Sequence, residues 1–207
     1  MGENLSGRRM IKYDPTKSDP ICKWRTASVS TVVELVSLLP KEQLTKERFR
    51  LNAQHFYGGA FFRTPYQLAL QLGLYYEDAN IYIPRFHKDI TQDEALRYMH
   101  KWMRLYYVPN PFTRRGFINV VPSVNLLNGI ADYLENHPNK PNLATAGAAL
   151  FGGEMGNIGC VKFILNEYSN IISVDEDNNM TLLSKNYGKV EVFNHRDDKK
   201  AFFEHFK

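Results

Sequence analysis

Asp175-Glu176-Asp177-Asn178-Asn179 opens like a calcium-binding loop, in which alternate oxygen-bearing side chains converge on one cation. The sixth position of such a loop turns sharply and needs glycine, and the twelfth supplies a bidentate glutamate. Met180 and Asn186 stand there, so a solvated hairpin turn is expected instead. The run Gly152-Gly153-Glu154-Met155-Gly156-Asn157-Ile158-Gly159 has the glycines of a phosphate loop. It lacks the Lys-Ser/Thr pair, and it follows an apparent helix rather than a strand. A metal-dependent nuclease needs carboxylates for the metal and a base for the attacking water, commonly an acidic residue followed by Glu-x-Lys on a strand. Glu42 and Glu47 lie near lysines, but on helical segments. His55, His87, His100, His137, His195 and His205 keep no short ligand spacing, and Cys22 and Cys160 have no companion for zinc. No Gly-x-Ser-x-Gly occurs. No catalytic residue, metal or cofactor is therefore expected, although a scattered active site would leave no such signature.

The chemistry that the chain does carry is that of recognition. Arg97, Lys101 and Arg104 recur at helical spacing with His100 beside them, which makes one basic stripe able to track phosphates. Arg114 and Arg115 follow. Asn157, Lys162, Asn166 and Ser169 are expected on the outer side of one helix, and Tyr66, Gln67 and Gln71 on the outer side of another, with Arg63 just before it. Asn and Gln amides can bond an adenine edge twice, and Lys pairs with guanine or phosphate. The plainer reading of both sets is a solvated polar face.

These side chains need helices to carry them. Valines and leucines at helical spacing predict a helix over Ser28–Leu39, ended by Pro40. A second is expected over about Thr45–Tyr57, and a third over Thr64–Leu72 with Pro65 at its first position. Leu74–Tyr76 and Ile81–Ile83 around a polar turn read as a β-hairpin. Thr91-Gln92-Asp93-Glu94 is a capping box opening a helix with Ala95, Met99, Trp102 and Tyr106 inward. The order then repeats: helices over Ser123–Glu135, from Asn142 or Thr145 to Phe151 and over Asn157–Tyr168, then a hairpin of Ile171–Val174 and Met180–Leu183. The fold class expected is mainly α with short β-hairpins, arranged as tandem winged helix-turn-helix-like units. The boundaries are a flexible basic arm over 1–24, a first unit over 25–108, a linker over 109–119 and a second unit over 120–190. Residues 191–207 read as a C-terminal helix or the start of a further domain. The abrupt stop leaves open that the chain is a fragment.

A net charge of +4 in 207 residues suits a nucleic-acid partner without requiring one. No apolar run approaches the roughly 20 residues of a membrane span, and the N-terminus lacks a secretory apolar core. Two lone thiols fit a reducing, cytoplasmic setting.

Phe61-Phe62-Arg63-Thr64-Pro65-Tyr66-Gln67-Leu68-Ala69 through Leu74-Tyr75-Tyr76, with Pro109-Asn110-Pro111-Phe112 further on, resembles the winged-helix target-recognition region of modular (type II/IIS-like) restriction endonucleases. The resemblance covers roughly residues 45–185. It implies a sequence-specific, modification-sensitive double-stranded DNA target and a nuclease domain or subunit elsewhere; no catalytic residue carries over. Sequence-specific duplex binding is thus expected, in a restriction or defence protein or a transcriptional regulator. The alternative is a winged-helix adaptor that binds protein without DNA.

Overall fold

In a computed structural model, which describes residues 27–52, 63–113, 123–151, 158–192 and 198–207, several helices begin where a side chain satisfies their free amides. Helix α1 (Val29–Leu38) starts after Ser28, whose Oγ accepts from Thr31 N, and stops at extended Leu39 before Pro40. Strand β1 (Leu44–Thr45) follows, and helical residues 46–52 (α2) begin where Thr45 Oγ1 accepts from Arg48 N at 3.3 Å. Helix α3 (Arg63–Gln71) opens one residue before the expected Thr64. Gly73, at φ +65°, ends that turn and leads into β2 (Tyr75–Glu77) and β3 (Ile81–Pro84). The Asp78 carboxylate accepts from the Asn80 and Ile81 amides and tightens the hairpin. β1 pairs antiparallel with β3, Leu44 opposite Tyr82 and Thr45 opposite Ile81, so the sheet order is β1-β3-β2.

Helix α4 (Gln92–Leu105) has the expected capping box, with Thr91 N donating to Glu94 and Glu94 N donating back to Thr91 Oγ1. Strand β4 (Tyr107–Val108) then pairs with β5 (Val124–Asn125). The helix expected from Ser123 begins later. Ser123 donates to the Pro109 carbonyl, and Asn125 caps α5 (Leu126–Asn136) by accepting from Asn128 N. Helices α6 (Leu143–Phe151) and α7 (Ile158–Tyr168) precede the hairpin β6 (Ile172–Val174) and β7 (Met180–Leu182). Asn142 bridges Asn179 in antiparallel fashion, just before β7. Helix α8 (Lys199–His205) is capped by Asp198 and closes the described chain. The molecule is thus mainly α with short antiparallel hairpins.

Both halves feed one continuous apolar core. Phe49 stacks on Tyr82 at 4.1 Å, with Tyr75 against both, which fixes α2 to the first sheet. Helix α4 packs against α1 on one side and α7 on the other. Its Trp102 is fully buried, and emptying such a site costs about 3–5 kcal/mol. The start of the expected linker is packed rather than loose. Asn110 is buried: its Nδ2 donates to Tyr106 Oη and the Tyr107 carbonyl, and its Oδ1 accepts from Phe112 N. Residues 114–119 of that linker, and the arm over 1–24, lie outside the described residues.

Helix α8 returns to the first half of the chain. Phe202, Phe203 and Phe206 are buried, and Arg85 clamps the helix. Arg85 Nε donates to the Gly73 carbonyl at 2.7 Å, its Nη2 donates to the Phe203 carbonyl, and its guanidinium lies 4.1 Å from the Phe203 ring centre. Burial pulls the Arg85 pKa below its usual value.

Candidate nucleic-acid interface

Helix α4 buries Tyr98, Met99, Trp102 and Met103 and therefore turns Arg97, Lys101 and Arg104 outward, all three exposed. Arg97 and Arg104 have no ion-pair partner among the described residues. Lys101 Nζ donates to the Lys207 carbonyl. Asn125, at the end of β5, donates from Nδ2 to the Arg104 carbonyl at 2.8 Å and so ties the end of the stripe to the start of α5. The side chain of Arg104 reaches toward the segment after β7: a Cβ placed on Gly188 would sit 3.6 Å from its Nη2. His100 joins the stripe to α7, its Nδ1 lying 3.0 Å from the Tyr168 carbonyl.

The two expected reading helices differ. On α3, Gln67 is exposed and Gln71 is half-buried, with the Gln71 carbonyl accepting from Trp102 Nε1 at 3.3 Å. On α7, Lys162 is half-buried and Asn166 is exposed, but the Asn166 amide is engaged at both ends by the backbone of Val174. Ser169 does not face outward as expected. It is buried, and its Oγ accepts from the Ile171 and Ile172 amides, because the chain turns there from helix into β6. The side chains of Arg63 and Tyr66, together with Arg114, Arg115 and Asn157, lie outside the described residues, as do residues 152–157 of the glycine-rich run.

Three polar anchors escape periodicity. Asn128 sits on the inner side of α5, where its Nδ2 donates to the Gly188 carbonyl and its Oδ1 accepts from Val190 N. That pins the extended segment 186–190 beside α4. Tyr187 Oη donates to Asp132 at 2.7 Å, with Glu135 at 3.3 Å, and holds the same segment to the same helix one to two turns further on. Arg85 is the third. Only a polar residue at an inward helical position, as Asn128 is, offers a signal in the sequence that such anchors exist. Among the described residues, no group of three or more His, Cys, Asp or Glu side chains is placed to hold a metal ion, and no helix is long and apolar enough to cross a membrane.

No family model, no curated protein and no solved structure matches the chain.

Proposed function

We propose that the chain binds duplex DNA sequence-specifically through two winged-helix units, as the recognition module of a restriction or other defence protein or as a transcriptional regulator. One observation carries the reading. The order helix, short extended stretch, helix, helix, hairpin occurs twice: β1 pairs with β3 in the first half, and in the second the single residue Asn142 bridges Asn179, just before β7. The match extends to single bonds: Lys46 N donates to the Asn80 carbonyl in the first unit, and Leu143 N donates to the Asn178 carbonyl in the second. In a winged helix-turn-helix the last of the three helices enters the major groove. That role falls to α3, with Gln67 and Gln71, and to α7, with Lys162. Helix α4, at the end of the first unit, carries Arg97, Lys101 and Arg104 toward the phosphates.

A protein-binding adaptor is the second reading. It is favoured by the half-buried Phe163 and the exposed Glu167 on α7, which suit a protein surface better than a phosphate backbone. Salt separates the two. Binding of a random-sequence duplex should weaken steeply with salt, with a log–log slope of about 0.9 per phosphate contact. Replacing Arg97, Lys101 and Arg104 together by Ala should flatten that slope by up to about three contacts' worth. An adaptor shows no salt-sensitive duplex binding at all.

A further inference from the structure

Between the outer face of α4 and the extended segment 184–188 lies a cleft of ≈ 690 Å³. That is within the range of roughly 300–1,000 Å³ typical of small-molecule sites. Its cationic wall is Lys101 and Arg104, with the His100 ring beside them, and its opposite wall offers Ser184 and Asn186. Leu127, Tyr168 and Ile171 supply an apolar floor, and no carboxylate among the described residues lines it. The described lining thus offers charge of one sign, and partly apolar walls strengthen its field.

Two further observations place the charge inside the cleft. Arg104, with no ion-pair partner among the described residues, reaches toward the far wall, where a Cβ added to Gly188 would lie 3.6 Å from its Nη2. The far wall is held in place rather than loose: Asn128 bonds the backbone at Gly188 and Val190, and Ser184 Oγ accepts from Asn186 N at 3.2 Å. A planar guanidinium facing fixed hydroxyl and amide groups is the donor set that binds phosphate oxygens in a defined geometry.

We propose that this cleft binds the phosphate of a nucleotide-sized ligand, with Arg104 and Lys101 on the phosphate and the sugar or base over the apolar floor. The phosphate belongs either to a DNA strand crossing α4 or to a free nucleotide. The inference does not rest on the DNA reading, because a nucleotide alone would satisfy it.

The test uses adenosine 5′-monophosphate, adenosine and a short random-sequence duplex as probes in calorimetric titrations of the full chain. Two variants, Arg104→Glu and Asn186→Asp, each place a carboxylate in the cleft at an exposed position, and their melting curves check folding. Adenosine 5′-monophosphate should bind and adenosine should not. Each variant should lose about tenfold or more in affinity for the monophosphate, the size of one charge-assisted hydrogen bond. If duplex competes with the monophosphate, the strand backbone is the source of the phosphate. If both bind at once, the ligand is a free nucleotide. No binding of the monophosphate, or equal binding by the wild type and two folded variants, overturns the proposal. Duplex binding that the variants leave intact, with no binding of the monophosphate, removes the cleft and keeps the DNA reading. Binding of the monophosphate without duplex binding does the reverse.

Discussion

Asn166 holds Val174 by both ends of its side-chain amide: Nδ2 donates to the Val174 carbonyl at 2.9 Å, and Oδ1 accepts from the Val174 amide at 2.7 Å. The pair fastens the end of β6 to the body of α7, eight residues earlier. An amide used this way serves the hairpin before it can serve a base. Asn166→Ala should therefore lower stability by about 1–3 kcal/mol, the cost of leaving backbone groups at Val174 without their partner. Urea denaturation measures this. Asn166→Asp, which keeps the acceptor and loses the donor, should fall between the two. If Asn166→Ala matches the wild type in stability but changes base preference, Asn166 is a reader and not a fastener.

Glycines give a second, paired prediction. Gly73 has φ +65°, and a Cβ there would lie 2.9 Å from Phe206 Cδ2 and 3.3 Å from Tyr98 Oη. Both neighbours are buried, so neither moves cheaply. Gly73→Ala should cost about 2–4 kcal/mol, from the left-handed backbone and the overpacking together. Gly129 lies within α5, and a Cβ there meets Leu150 and Val124 at ordinary 3.6 Å contacts. Gly129→Ala should leave stability unchanged or raise it by up to about 1 kcal/mol. Equal effects of the two substitutions would mean that α8 does not pack over Gly73 as described.

Alkaline pH should loosen the core. Burial raises the Tyr98 pKa from 10.0 to about 12, and that of Tyr168 likewise to about 12. Their hydroxyls donate to the Leu72 carbonyl at 2.5 Å and the Ala27 carbonyl at 2.6 Å. A tyrosine whose pKa is higher folded than unfolded contributes fully while both states keep the proton, and less and less once the unfolded chain sheds it. The contribution is whole below pH 10 and is lost as pH climbs toward about 12. Urea midpoints should hold steady up to about pH 9 and then fall, with tyrosinate absorbance appearing as the chain unfolds. Tyrosinate formation by both residues near pH 10 in the folded protein would contradict this.

Much of the fold was legible in the sequence, and the reason is local. Thr91 with Glu94, Ser28 before a valine-rich run, and the polar turns at Glu77–Asn80 and Asp175–Asn179 act within a few residues, so expected helices and hairpins match to within one to three residues where their ends are described; residues 53–57 of the expected second helix lie outside the described residues. The two-residue strands β1, β4 and β5 were not expected, because two residues carry no alternation to read. The site was less legible. Exposure of Arg97, Lys101 and Arg104 follows from the period of α4. The commitment of Asn166 to Val174 depends on where β6 turns back, and the cleft exists only because Asn128 draws residues 186–190 alongside α4. Chain spacing does not encode such long-range pairings.

Selection from a random duplex pool, methylated and unmethylated, decides whether the proposed sequence-specific reading of duplex DNA takes place. The wild-type chain should enrich a defined motif. A variant with Gln67, Gln71 and Lys162 changed to Ala should relax preference at one to three base pairs, at about 1–3 kcal/mol for each lost base contact. Its affinity for nonspecific duplex should stay near normal, because phosphate contacts position the protein without specifying sequence. An unenriched pool after repeated rounds, with no salt-sensitive retention of duplex, would contradict the account.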